Sequence, residues 1–172
     1  LTDTRIIVSG GLDEHRIAEL IADGAPIDGI GVGSNVDTSA DAPFLDSAYK
    51  LHYFNGKPRG KHAEGKTDLP GQKQIFRRKN AHGYLEEDLI ALSHEIHDGE
   101  ALIAPLMRNG KVIPEHSTEL TLDAARNRCA TAIQELPKFL QTLKSQSTVY
   151  PVKLSDELQK MQAELKERAT AD

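Results

Sequence analysis

Cysteine is nearly absent from this chain. Cys129, set in a helix-like run, stands alone among 172 residues, so one copy can build neither a disulfide framework nor a cysteine-rich zinc site. A reducing cytoplasm is therefore the expected compartment. Tryptophan is missing and aromatic residues make up 5% of the chain, too few for the stacking platforms that single-stranded nucleic acid requires. Positive charge does not dominate either. Twenty-one Lys and Arg face 26 Asp and Glu, a formal charge of −5, which argues against nucleic-acid binding driven by bulk charge. No apolar run approaches the roughly 20 residues of a membrane helix, and no charged leader precedes a hydrophobic block. The chain is expected neither to span a membrane nor to carry an export signal.

What is present is concentrated near the start. Arg5 to Val8 is apolar and β-branched after its first residue, which predicts a strand. Asp13 is a fitting N-cap with Glu14 in the first turn, Ile17, Leu20 and Ile21 recur at helical spacing, and Gly24 followed by Pro26 ends the helix. Ile27 to Val32 then predicts a second strand about twenty residues after the first, the length of a right-handed crossover between parallel strands. Each strand runs into glycine: Ser9-Gly10-Gly11 after the first, Gly31-Val32-Gly33-Ser34 after the second. Glycine clusters at the carboxyl ends of successive parallel strands let main-chain N–H groups converge on an anion without interference from Cβ atoms. The pair reads as a phosphate cradle, of the kind the last two strands of an α/β barrel provide. The plainer alternative is a βαβ unit whose glycines only make tight turns. One βαβ unit cannot bury both faces of its own sheet, and the chain opens on Leu1, so it is expected to be a fragment whose partner strands lie upstream.

From Tyr49 the pattern changes. Tyr49 to Phe54 alternates and meets Asn55-Gly56, and Met107-Arg108 meets Asn109-Gly110 before Lys111-Val112-Ile113; both predict hairpins with type I′ turns. Gln74 to Arg77 and Asp88 to Leu92 read as further strands, with Asn80 to Gly83 and Asp98-Gly99 as turns. The last third reads as helical. Thr121 offers an N-cap to a run carrying Ala125, Cys129, Ala132, Ile133 and Leu136, which Pro137 ends or kinks, and after a polar linker at 144–148 Ser155 caps a helix with Leu158, Met161 and Leu165 on one stripe.

Residues 57–79 are locally basic, carrying Lys57, Arg59, Lys61, Lys66, Lys73, Arg77, Arg78 and Lys79 against Glu64 and Asp68. They form either an anion-facing loop that draws in a polyphosphate or, the reading we favour, a solvated segment that balances an acidic remainder. The seven histidines are scattered: His15, His52, His62, His82, His94, His97 and His116. Only His94 and His97 are spaced to share a metal, and no third ligand stands at a recognised interval, so no zinc site is predicted.

Four ordered segments resemble a known family. Ile7 to Glu14, then Gly24-Ala25-Pro26-Ile27-Asp28 leading to Gly31-Val32-Gly33-Ser34, then Tyr49-Lys50-Leu51, then Gly65-Lys66-Thr67-Asp68-Leu69-Pro70-Gly71-Gln72-Lys73-Gln74 are similar to the carboxyl-terminal part of nicotinate phosphoribosyltransferases. Gly99 to Leu102 and Pro105 to Arg108 continue the likeness, which covers roughly residues 5 to 137. Ser34 departs from the threonine usual in the family but keeps its hydroxyl.

The resemblance implies an α/β fold: the last βαβ part of an irregular barrel in residues 1–48, a β-rich segment of a second domain in 49–116, and a helical tail in 117–172. It implies transfer of the phosphoribosyl group of phosphoribosyl pyrophosphate to nicotinate, giving nicotinate mononucleotide and pyrophosphate for NAD synthesis, with ATP hydrolysis coupled and Mg²⁺ accompanying the phosphates. It implies a homodimer with shared active sites. It assigns Ser9, Gly10, Gly11, Gly31, Gly33 and Ser34 to the sugar's 5-phosphate. It leaves the catalytic and nicotinate-binding residues in the missing amino-terminal part, so that the 172 residues alone would be inactive. A nicotinamide or quinolinate phosphoribosyltransferase of the same barrel type, or a non-catalytic sugar-phosphate-binding module, are the alternatives.

Overall fold

The computed structural model describes residues 3–61, 68–113, 120–144 and 147–171. His62, Glu64, Gly65, Lys66, Thr67 and His116, part of the 144–148 linker, and Leu1 fall outside them. The chain is mixed α/β, with four small sheets and four α-helices among the described residues, and divides into two compact units, 1–49 and 50–172.

The first unit is a βαβ arrangement. Strand β1 (Ile7–Ser9) pairs in parallel with β2 (Gly29–Gly31), and helix α1 (Glu14–Ala22) connects them. Asp13 caps α1 as its sequence suggests, with Oδ1 accepting the Arg16 N–H at 2.7 Å. At the other end Gly24 adopts φ +70°, and the Ala25 N–H returns to the Leu20 carbonyl at 3.0 Å, closing the last turn before Pro26. Regular pairing is confined to three residues per strand, shorter than the sequence runs suggested. A one-turn helix α2 (Ser34–Asp37) follows β2 directly. Leu12 is the buried apolar residue of this unit, and Ile7 and Ile21 are largely exposed.

The second unit opens with a two-residue hairpin, β3 (Tyr53–Phe54) and β4 (Lys57–Pro58), turning on Asn55 and Gly56 at φ +49° and +73°. Both positive angles identify the type I′ turn that Asn-Gly predicts. The longest strands follow: β5 (Lys73–Lys79) and β6 (Leu85–Leu92) pair antiparallel, and β7 (Glu100–Ala101) adds to the free edge of β5. Strands β8 (Met107–Arg108) and β9 (Lys111–Val112) form the second Asn-Gly hairpin.

Helix α3 (Leu122–Glu135) starts on Thr121, whose hydroxyl accepts the Ala124 N–H, and stops before Pro137, after which a 3₁₀ turn covers Lys138–Leu140. Cys129 is exposed on α3 and borders a shallow groove of about 330 Å³ with Ile133, Leu136, Leu85 and Tyr150.

The tail is not purely helical. Strand β10 (Val152–Leu154) runs parallel to β6, giving a mixed sheet in the order β10-β6-β5-β7, and leads into helix α4 (Asp156–Ala171). Three residues carry too short an alternation to stand out in the sequence, and their partner lies more than sixty positions upstream. The core of this unit joins sheet and helix: Phe76, Leu85, Ala91, Leu92 and Leu158 are buried, as is Pro70. Leu158 is fully shielded, as the α4 stripe requires.

Candidate functional site

Parallel pairing in the exact register Ser9↔Gly31 sets the ends of β1 and β2 side by side, so the two glycine-bearing loops leave the sheet from the same edge. Each glycine there has a different reason. Gly10 and Gly11 have φ of +98° and +62°, the left-handed region that residues with a Cβ avoid. Gly31 has no left-handed φ, but a Cβ on it would stand 3.0 Å from the Cβ of Ser9, tight enough that Ser9 would have to give by a few tenths of an ångström. Gly33 has neither reason. Its φ of −139° is open to any residue, and a Cβ would meet nothing within 4 Å. Folding of the described chain does not call for glycine at 33.

Ser34 begins α2, with Gly33 as its N-cap. Among the described residues, the main-chain N–H groups of Gly11, Gly33 and Ser34 donate no hydrogen bond within the protein, whereas the Gly10 N–H faces the Gly31 carbonyl as the last rung of the parallel ladder. Ser9, Gly10, Gly11, Gly33 and Ser34 are exposed and Gly31 is half-buried. The structure thus brings Ser9 and Gly31 into contact and leaves unpaired donors on both loops, an arrangement suited to an anion.

The motif residues of the second unit do something else. The Asp68 side chain, only 2% exposed, accepts from the Lys50 ammonium and from the Lys61 main-chain N–H at 2.9 Å. The hydrogen bond from Lys50 holds the Asp68 carboxyl below its ordinary pKa. Lys73 donates to the carbonyls of Leu69 and Gly71 at 2.6 and 2.8 Å, and burial lowers its pKa. His52 lies in this same neighbourhood. Its carbonyl accepts from the N–H groups of Arg59 and Gly71, its pKa is lowered first by burial and then by Lys73, and its Nδ1 is buried without a partner among the described residues. Gln162 of α4 donates to the Asp68 carbonyl at 2.7 Å. These residues tie a loop to the sheet and to α4.

The basic residues on β5 beyond Lys73 are also paired. Arg77 holds Asp88 through two hydrogen bonds, 2.9 and 2.7 Å, Arg78 meets Glu86 and Glu87, and Lys79 meets Glu135 of α3. Tyr150 donates to Asp88 at 3.0 Å, and burial followed by the Asp88 carboxylate pushes its hydroxyl pKa up to about 12. The Asp88 carboxyl is held low chiefly by Arg77. At Arg77, Arg78 and Lys79 the charges are committed to carboxylates of the fold, a role that neither the anion-facing nor the solvated reading described. Sequence reasoning missed this network because its members are 11 and 62 positions apart.

His94 pairs with Glu157, and His97 with Glu95 while its ring meets Phe76 edge-on at 5.3 Å. Each is accounted for by protein contacts. Among the described residues, the acidic and imidazole groups that approach one another closely enough to share an ion are Glu14, His15 and Asp41.

No protein-family model matches the chain. Comparison with curated proteins gives clear relatives. The chain is 41% identical over all 172 residues to nicotinate phosphoribosyltransferase pncB2 of Mycobacterium tuberculosis, and spans 36% of that protein's length. It is 36% identical over 140 residues to pncB1 of the same organism, covering 79% of this chain and 30% of the relative. With human nicotinate phosphoribosyltransferase it shares 36% identity over 97 residues, 55% of this chain and 18% of the relative. The crystal structure of human nicotinic acid phosphoribosyltransferase matches its fold with a TM-score of 0.69 at 23% identity, covering 95% of this chain and 33% of that one. The chain is therefore homologous to phosphoribosyltransferases. Among these its relatives are nicotinate phosphoribosyltransferases, and the chain spans about a third of the length of the relatives it matches over most of its own length.

Proposed function

We propose that the chain is the carboxyl-terminal portion of a nicotinate phosphoribosyltransferase and supplies its grip on the 5-phosphate of phosphoribosyl pyrophosphate. The observation that carries this reading is Gly33, a glycine that neither torsion nor packing explains, on a loop that shares its sheet edge with Ser9, Gly10 and Gly11. A phosphate against that loop needs the space a Cβ would take. On this reading the N–H groups of Gly11, Gly33 and Ser34 and the hydroxyls of Ser9 and Ser34 donate to the phosphate oxygens, while Gly10 supplies the left-handed turn that aims its loop and Gly31 lets the two loops approach.

Anchoring one phosphate fixes the ribose, so that its anomeric carbon stands in line with the pyridine nitrogen of nicotinate. The bond from that carbon to the pyrophosphate oxygen breaks, the bond to the ring nitrogen forms, and the intervening carbon carries oxocarbenium character. Magnesium enters with the pyrophosphate as part of the substrate and balances its charge as it leaves. ATP coupling, a homodimer, a cytoplasmic location and an irregular α/β barrel completed by upstream sequence belong to the same proposal. The lone parallel pair β1-β2, without further strands among the described residues of its unit, supports the barrel reading.

The test is Gly33→Ala in the full-length natural protein that carries this chain. An unchanged melting temperature with KM for phosphoribosyl pyrophosphate raised about tenfold or more, and KM for nicotinate held, is expected. Unchanged kinetics would remove phosphate from this loop.

A further inference from the structure

A three-residue parallel ladder is a weak device for holding two loops in register. Slipping by one pleat repeat would displace one loop by about 6.6 Å along the other. The structure shows what resists the slip. Asp28, just before β2, grips Ile6, just before β1, on both of its main-chain groups. The Asp28 carboxylate Oδ2 accepts the Ile6 N–H at 2.7 Å, and the Asp28 N–H donates to the Ile6 carbonyl at 2.9 Å, a carbonyl that also accepts from Gly29 at 3.2 Å. At the far end of the ladder Gly31 sits against Ser9, where a Cβ would stand only 3.0 Å from the Ser9 Cβ.

We infer that Asp28 is a positioning residue for the phosphate site: its side chain fixes the offset between β1 and β2 and thereby the spacing of the Ser9-Gly10-Gly11 and Gly33-Ser34 loops. This rests on the reading of those loops as a phosphate grip. Asp28 does not touch the phosphate. It acts through the strand pair, and what it demands chemically is an oxygen acceptor in place, not a negative charge.

Three features of Asp28 distinguish this role from general support. Its carboxylate bonds main chain, not another side chain, so losing it frees a strand end and not a packing contact. The bond is exposed, so its removal strands no polar group in a dry interior. It lies at the opposite end of the ladder from the proposed ligand, so a substitution there cannot block phosphate directly.

The experiment compares Asp28→Ala and Asp28→Asn in the full-length natural protein by steady-state kinetics and by hydrogen exchange at the Ile6 amide. Asp28→Ala is expected to raise KM for phosphoribosyl pyrophosphate about tenfold with KM for nicotinate within about twofold, and to lose protection at Ile6. Asp28→Asn, which keeps an acceptor oxygen, is expected to restore most of both. Asp28→Ala kinetics like the parent's overturn the inference, as does an equal loss toward both substrates or a loss that Asn fails to rescue. Should the parent itself show no saturable response to phosphoribosyl pyrophosphate while Ile6 protection still depends on Asp28, the clamp stands and the enzymatic reading of the loops fails.

Discussion

Lys50 and Asp68 are joined across a loop by an ion pair in which the carboxylate is almost wholly shielded and the ammonium is not, with side-chain exposures of 2% and 36%. The pair joins two of the segments that carry the family resemblance and gives them a structural task. Because Lys50 lowers the Asp68 pKa, the folded chain binds its proton less readily than the unfolded chain does. The stability it contributes is present above the ordinary carboxyl value of 3.8 and is lost as pH falls from there through the folded value. Urea midpoints of the chain measured from pH 7 to pH 3 should fall steeply at the acid end, and in Asp68→Asn that acid slope should flatten from a lower plateau. An unaltered slope would show that Asp68 titrates without a partner.

Gly71 sits at φ +81°, and a Cβ there would stand 3.0 Å from Leu92 Cδ2 and 3.1 Å from Met161 Sδ. Strain and overpacking act together, so Gly71→Ala should destabilise the chain by about 1–3 kcal/mol. Chemical denaturation measures it, and a neutral result would mean that α4 and β6 can move apart at little cost.

Ser155 links the end of β10 to the start of α4. Its hydroxyl accepts the Leu158 N–H at 3.2 Å and donates to Glu95 at 2.7 Å, and Glu95 in turn accepts the Leu92 N–H at 2.6 Å. Ser155→Ala removes a cap and leaves a carboxylate oxygen short of a donor, a loss of about 1–2 kcal/mol. Ser155→Thr should recover part of it in the same denaturation assay. If alanine and threonine behave alike, the hydroxyl carries no weight.

Tyr150 should ionise late. With its pKa raised to about 12, the folded chain keeps the phenol proton that the unfolded chain gives up near 10, so this contribution to stability is whole below pH 10 and disappears as pH rises through 12. Ultraviolet titration of the chain should show a late phenolate step that is missing from Tyr150→Phe. A late step that persists in the variant would assign it to another tyrosine.

Local chemistry was legible in the sequence. Asp13, Thr121 and Ser155 cap helices where they were expected to, and both Asn-Gly pairs make hairpins with Asn109 and Gly110 at φ +51° and +75°. Each such feature is decided within four or five residues. The βαβ unit and the adjacency of its glycine ends were legible for the same reason, since a crossover of fixed hand leaves little freedom. What was not legible depends on partners far apart in sequence. Strand β10 owes its existence to β6, and the Arg77, Asp88 and Tyr150 cluster exists only once those strands have paired. The basic residues at 77–79 illustrate the difficulty: their sequence shows charge, whereas their carboxylate partners come from β6 and α3. Val152 and Leu154 alternating just ahead of the Ser155 cap were the available hint of a strand.

The place of β10 beside β6 has a practical corollary for anyone shortening this polypeptide. A version ending before Val152 would turn β6 from an interior strand into a rim strand, baring a row of hydrogen-bonding groups next to Leu92 and Ala91 just as Leu158 is withdrawn from above them. Such a version should self-associate, and the final helix is best left attached even where only the glycine loops are of interest.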